Sequence, residues 1–204
     1  MTTNDRITRF TIVGGGSAGW LAASLLLGTL NRRNDGPDTE VTVIESPNLP
    51  IIGVGEATTR STFVTFAQLR IDETDFLHHC DATFKGAVRF KGWNINPDGS
   101  DGDYYHPFDA PQSIFGVDPA YHYHRRTVRG VQQPTFAHAM SVLPTLMDAN
   151  RAPKILGSDP FEGLTNYSFH LDASLMGEYL KNYCTSLGVT YISDNVTDVT
   201  LDER

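Results

Sequence analysis

The chain has only two cysteines, Cys80 and Cys184, far apart and in no C-x-x-C arrangement. That spacing supports neither a disulfide framework nor a thiolate zinc site, and it fits a reducing cytoplasm. Basic runs are missing too: the densest group, Arg125-Arg126 with Arg129, is too short to displace counterions from a phosphate backbone, and the net charge is −8. Neither nucleic acid nor an anionic membrane is therefore expected as a partner. Long apolar stretches are absent. The run from Leu21 to Leu30 is too short to cross a bilayer, and Met1 to Arg6 has no extended apolar core behind its charges, so no signal peptide is read and a cytoplasmic location is expected. No internal repeat or low-complexity tract is visible.

Histidines are present but not at ligand spacing. His122 and His124 would share one face if extended, yet no third ligand follows from the pattern. His106, His122 and His124 read better as hydrogen-bonding members of an aromatic lining made by Tyr104, Tyr105, Phe108, Phe115, Tyr121 and Tyr123, and no metal is expected. With 40% hydrophobic and 20% charged residues in 204 positions, the composition is that of an ordinary globular protein. The length suits one substantial core, or a domain with an excursion.

The informative stretch lies near the amino end. Phe10, Ile12 and Val13 read as a short buried strand, Gly14-Gly15-Gly16-Ser17-Ala18-Gly19 as a turn, and Trp20 to Leu30 as a helix opening from it. This is the order of a dinucleotide site. Gly14 would make the tight turn, Gly16 would let a pyrophosphate approach the backbone, and Gly19 would let the helix lie close on its strand. The anion would sit at the helix N-terminus, where unpaired N–H groups and the helix dipole favour negative charge. A polar connection from Asn31 to Thr39 leads to the strand Val41-Thr42-Val43-Ile44, which ends in Glu45, where a ribose hydroxyl would be held. The alternative is a structural turn with a solvated Glu45. The order of strand, turn, helix, strand and acid favours the nucleotide site and an α/β fold with a Rossmann-like βαβ core.

Beyond Glu45, Pro47 and Pro50 impose an extended loop. The segment Ile51-Ile52-Gly53-Val54-Gly55-Glu56-Ala57-Thr58 could bring backbone amides against a cofactor, or equally serve as a turn into a helix from Ser61 to Leu69. A short helix over Asp72 to His79 and a single strand over Ala82 to Trp93 follow. In that strand Lys85 shares a face with Arg89 and Lys91, which from spacing alone reads as a solvated basic row. Asn94 to Gln133 is rich in turn signals, and Thr135 to Ala149 has helical periodicity that Pro144 would kink or end. Tyr167 to Asp172 reads as a strand entering a helix from Ala173 to Leu187, with Asp172 or Ser174 as cap and Gly188 as stop. Val189 to Ile192 and Asn195 to Leu201 read as two further strands.

Taken together, several of these segments resemble the flavin-dependent tryptophan halogenase family. Val13-Gly14-Gly15-Gly16-Ser17-Ala18-Gly19-Trp20 is similar to its first cofactor motif, and Gly53-Val54-Gly55-Glu56-Ala57-Thr58 to its second, more particular one. Ala82-Thr83-Phe84-Lys85 with Phe90 and Trp93 resembles the segment bearing its catalytic lysine, and Phe169-His170-Leu171-Asp172 the return to the cofactor domain. The resemblance implies that Gly15, Ala18 and Gly19 hold FAD phosphates and that Glu45 and Ser46 lie at the adenosine side. It also places Leu49, Ile52, Glu56 and Ala57 along the cofactor, Val196 with its backbone against adenine, and Lys85 in the role of the essential lysine.

The resemblance further implies that reduced FAD, supplied by a separate flavin reductase, acts with oxygen and a halide to give hypohalous acid. This travels through an internal tunnel to the lysine, which directs it onto a small aromatic, tryptophan- or indole-like substrate. An aromatic hydroxylase or monooxygenase of the same broad fold, with no use for Lys85, is the enzyme alternative, and a non-catalytic flavin-binding fragment the other. The organisation expected is an FAD-binding core with the lysine strand over residues 1–93, a loop-rich insertion on the substrate side over 94–165, and a return to the core over 166–204. The family is much longer than this chain, and its tryptophan-isoleucine-proline motif, second catalytic carboxylate and halide-binding loop match nothing here. The 204 residues are expected to be an N-terminal portion that does not halogenate alone.

Overall fold

The computed structural model describes residues 7–30, 39–49 and 56–201. The chain divides into two compact units. The first takes its residues from Met1–Glu56, Val64–Ala82 and Leu171–Arg204, and the second from Ala57–Phe63 and Thr83–His170.

In the first unit, β1 (Arg9–Val13), β2 (Glu40–Glu45) and β8 (Thr190–Ser193) form a parallel sheet in the order β1-β2-β8. Parallel neighbours need a crossover, and α1 (Ser17–Leu30) supplies it between β1 and β2. The helix α7 (Ala173–Ser186) leads into β8 and packs on α1. The β-branched run of β2 suits the central strand, and Val41 and Val43 are almost wholly buried with Trp20 and Ala23 of α1 and Leu180 and Cys184 of α7. Burying each large apolar side chain is worth about 1.5–3 kcal/mol, so this layer is the main support of the sheet. Two further helices, α2 (Ser61–Leu69) and α3 (Glu73–His79), meet through Phe66 and Phe76, whose rings lie 4.6 Å apart edge to face. This is the expected Rossmann-like α/β arrangement. The strand β1, however, is not buried: it has one hydrogen-bonded neighbour and its Val13 is 61% exposed.

The second unit contains an antiparallel pair, β4 (Thr83–Lys85) with β7 (Ser168–Leu171), and the short β3 (Glu56–Ala57) on the other side of β7. A hairpin, β5 (Ala87–Ile95) with β6 (Asp101–Pro107), follows β4. The expected single strand from Ala82 to Trp93 is thus broken at Gly86. A Cβ there would lie 2.9 Å from the end of the Leu143 side chain and 3.1 Å from that of Met147, so α6 (Leu143–Asp148) packs closely on the chain at the break. Among the turns of the insertion, β6 and α4 (Pro119–Val128) form regular structure, the helix being capped by the Asp118 carboxylate, which accepts from the Ala120 amide at 2.8 Å.

His122 and His124 therefore sit on a helix, where a spacing of two residues turns them to different faces. The helix expected from Thr135 to Ala149 is two helices, α5 (Phe136–Met140) and α6 (Leu143–Asp148). The break falls before Pro144, which occupies the first turn of α6, where a missing N–H costs nothing. Asn195 to Leu201 forms no strand: it runs exposed past β8 with no sheet neighbour among the described residues. Phe63, Phe84, Phe161, Tyr167 and Phe169 form an aromatic cluster with ring centroids 4.8–6.2 Å apart.

The start of α7 depends on Asp172, whose carboxylate accepts from the amides of Ser174 at 2.8 Å and Leu175 at 3.1 Å. Replacing Asp172 by alanine is expected to cost about 1 kcal/mol, the worth of an N-cap, and to lower the melting temperature by roughly 2–4 °C in a scan followed by circular dichroism.

Candidate functional site

The glycine turn has the geometry of a cradle. Gly14 takes a φ of +115°, which side chains rarely adopt, and its N–H donates to the Ile44 carbonyl at 2.9 Å, tying the turn to β2. The helix begins at Ser17, and its first internal bond runs from the Trp20 amide to the Gly16 carbonyl at 3.1 Å. The amides of Ser17, Ala18 and Gly19 precede that bond and have no acceptor within the helix. A Cβ at Gly19 would lie 1.9 Å from the Gly14 carbonyl oxygen, so the helix approaches the turn as closely as glycine permits. Above Gly16 the space is open. The first turn of α1 carries no acid that would repel an anion. These features fit a diphosphate: donors converge, the dipole has the right sign, and none of the described residues beyond its chain neighbours comes within 4 Å of a Cβ built on Gly16.

The carboxyl ends of the parallel strands border the same turn, where ligands of open α/β sheets bind. Glu45, ending β2, lies directly under Gly15, where a Cβ would come within 2.3 Å of its carboxyl carbon. Its Oε2 accepts from Lys181 Nζ at 3.1 Å, and that ammonium stands 3.7 Å from the centroid of the Tyr191 ring. Glu45 is thus a paired, mostly buried acid rather than a solvated one, with Oε1 left for a further donor. Ser46 Oγ donates to Asn195 Oδ1 at 2.6 Å and accepts from the Asn48 amide at 3.1 Å. The Asp194 amide donates to the Glu45 carbonyl at 3.0 Å. These bonds hold the loop after β2 beside the loop after β8, which brings Val196, 41% exposed, to the same edge.

Leu49 is 76% exposed, and Glu56 and Ala57 are exposed in β3. Ile52, with the rest of Ile51 to Gly55, lies outside the described residues. Sequence reasoning missed Lys181 and Asn195: only the adjacency of β2 and β8 brings them to Glu45 and Ser46, and neither carries a local signal.

Lys85 belongs to the second unit. Contrary to the solvated row expected from spacing, it is only 9% exposed, because the break at Gly86 separates it from Arg89 and Lys91. Its Nζ donates to the Thr58 carbonyl at 3.4 Å and lies 5.2 Å from the centroid of the Phe108 ring. Burial, which penalises the charged form, lowers its pKa from the ordinary 10.5. Arg89 remains outside in a bidentate pair with Asp103, at 2.8 and 2.6 Å.

Phe108 also lines a cavity of about 570 Å³ together with Tyr104, Tyr105, Phe136 and Met140. The walls are braced by Asp148, which accepts from the Tyr105 hydroxyl at 2.5 Å and pairs with His138 Nε2 at 3.0 Å. Hydrogen bonds from Tyr105 and then His138 hold the Asp148 carboxyl below the usual carboxylate range. Of the expected aromatic lining, Tyr104, Tyr105, His106 and Phe108 meet at this cavity, whereas Phe115 is fully exposed and Tyr121 is 58% exposed. Among the described residues no group of three histidine, cysteine, aspartate or glutamate side chains could hold a metal, and no helix is long and apolar enough to cross a membrane.

Comparison with known proteins agrees with this geometry. The family model described as tryptophan halogenase matches residues 9–204. Tryptophan 7-halogenase RebH of Lentzea aerocolonigenes is 32% identical over 210 residues, covering 98% of this chain and 38% of RebH. A crystal structure of a tryptophan halogenase from Shewanella frigidimarina NCIMB 400 superposes with a TM-score of 0.84 at 34% identity, covering 98% of this chain and 38% of that one. Tar14, a tryptophan C-6 flavin-dependent halogenase from taromycin biosynthesis, gives a TM-score of 0.80 at 34% identity, with coverage of 96% and 38%. The chain therefore spans less than two-fifths of the length of these relatives.

The contrast between two glycines of the turn is testable. Gly19→Ala drives a Cβ into a backbone carbonyl that cannot swing aside and is expected to cost about 1–3 kcal/mol in urea unfolding. Gly16→Ala, with open space above it, should stay within about 0.5 kcal/mol.

Proposed function

The chain belongs to the tryptophan halogenase family, and from that premise we propose that it supplies the FAD-binding cradle and the oxidant-directing lysine of a flavin-dependent halogenase acting on a small aromatic, indole-like substrate. The observation that carries this reading is the pairing of an anion cradle at Gly14–Gly19 with a lysine buried against an aromatic cavity. Reduced FAD, delivered by a separate flavin reductase, would supply with oxygen the oxidation of halide to hypohalous acid.

The residues of this chain have distinct tasks in that reading. The amides of Ser17, Ala18 and Gly19 bind the diphosphate, with Gly15 and Gly16 leaving it room. Glu45, steadied by Lys181, offers its free Oε1 to a ribose hydroxyl, and Ser46 and Val196 border the adenosine. Leu49, Ile52, Glu56 and Ala57 line the remainder of the cofactor. Lys85 holds the hypohalous acid, either as a haloamine or by hydrogen bonding that polarises the O–halogen bond. A neutral amine suits the first and an ammonium the second, and burial shifts the balance toward the neutral form. In the haloamine route water leaves as the N–halogen bond forms, and the amine regains a proton as the ring carbon takes the halogen and loses its own. In the hydrogen-bonded route the ring carbon takes the halogen and the ring proton leaves with the hydroxide as water. Tyr104, Phe108 and Phe136 supply the aromatic lining of the neighbouring cavity, against which a flat indole-like ring would lie.

Two measurements test this. The purified chain should bind added FAD with quenching of flavin fluorescence, and Gly16→Val, which fills the open approach, should weaken binding at least about tenfold, or roughly 1.4 kcal/mol. Unchanged affinity would remove the cradle from consideration. In a version extended to the relatives' full length, Lys85→Ala should bind FAD normally yet yield no halogenated indole when supplied with reductase and halide. Halogenated product at the parent rate would exclude Lys85 from the reaction, whereas hydroxylated product without halogen would favour direct oxygen transfer.

A further inference from the structure

The surroundings of Lys85 contain a pair of hydroxyls that the reading above does not use. Ser168 is fully buried and stands directly opposite Lys85 in the β4/β7 register. Its Oγ lies 2.5 Å from Thr58 Oγ1. Thr58 is in turn fastened to β7 three times: its amide donates to the Phe169 carbonyl at 2.9 Å, its hydroxyl accepts from the Phe169 amide at 3.1 Å, and the same hydroxyl lies 3.3 Å from the Phe169 carbonyl. The carbonyl of this pinned residue is the acceptor for Lys85 Nζ.

We propose that Thr58 and Ser168 are positioning residues for Lys85: their buried hydroxyl pair fixes the Thr58 carbonyl at the place where it holds the amine beside Phe108 and away from water. The proposal rests on the reading of Lys85 as the oxidant-directing residue, but the placement it describes is independent of turnover. A lysine stem is long and flexible, and its ammonium is strongly drawn to solvent. One carbonyl at 3.4 Å restrains it only if that carbonyl cannot move. Backbone pairing through β3 and the Thr58 amide ties this segment to β7, and the hydroxyl pair adds a side-chain restraint at the residue whose carbonyl meets the amine. A small β-hydroxyl is needed at both positions, since a larger group at Ser168 has no space in a fully buried site.

His170, two residues along β7, is the titratable neighbour. Burial and then the charge of Lys85 lower its pKa below the ordinary 6.5, so it is neutral throughout the range in which a lysine titrates.

Competitive acetylation of the folded chain, read residue by residue by peptide mass spectrometry from neutral to alkaline pH, gives the titration midpoint of each lysine. Exposed Lys91 of β5 serves as the internal standard. In the parent chain the Lys85 midpoint is expected below that of Lys91. Losing the hydroxyl pair frees the amine to reach water, which removes the burial penalty on its charged form, so the midpoint moves up toward that of Lys91. Ser168→Ala and Thr58→Val should each raise it, closing the gap to Lys91, whereas Thr58→Ser, which keeps the hydroxyl, should leave it in place.

A parent chain in which Lys85 titrates with Lys91, or either folded hydroxyl-deleted variant retaining the parent midpoint, overturns the proposal. The parent measurement decides without any variant, and Ser168→Ala and Thr58→Val are alternatives, so one folded variant is enough. Neither outcome touches the halogenation assay: product surviving Lys85→Ala would end the catalytic reading and leave the positioning intact, and an unmoved midpoint would do the reverse.

Discussion

A single close approach governs the first unit: the Cα of Gly19 rests against the carbonyl of Gly14, at a separation no side chain could share. With the Gly14 amide bonded to Ile44, the turn is clamped between the helix that follows it and the neighbouring strand. The axis of α1 is thereby aimed across the carboxyl edge of the sheet, and its free amides face the space above Gly16 instead of the interior. Every other residue at that edge is placed with respect to this contact. Glu45 can lie beneath Gly15 because there is no Cβ in the way, and the loops after β2 and β8 are joined to each other beside it by Ser46, Asn195 and Asp194.

The second unit is organised around the opposite problem, that of keeping a cation where water is scarce. A buried ammonium without partners is expensive, and the usual responses are a lowered pKa, a fixed acceptor or an aromatic face. Lys85 has all three, in burial, the Thr58 carbonyl and the Phe108 ring. The neighbouring cavity shows similar economy of means: Asp148 braces both Tyr105 and His138, so one carboxylate steadies two walls.

Membership of the tryptophan halogenase family gives these two arrangements a common context. The likeness extends along nearly the whole chain at about a third identity. Local features that are common in isolation, such as a glycine turn or a lysine on a strand, acquire meaning from occurring together.

What the chain's own order of residues determined was the βαβ beginning, because apolar period, glycine spacing and caps are properties of neighbouring positions. The helix from Ser61 to Leu69, the cap at Asp172 and the acid at the end of β2 were all legible in this way. What only the tertiary structure decided was the environment of particular side chains. The alternation around Lys85 suggested a solvated face, but α6, far along the chain, presses on Gly86 and breaks the strand, so that Lys85 turns inward. Asn195 to Leu201 had the composition of a strand and found no edge to join. Glu45 was legible as an acid at the end of β2, but its pairing with Lys181 depends on α7, which no local pattern places there. Burial and pairing are relations between segments distant in sequence, and a local pattern records the period of a residue without recording what will cover it.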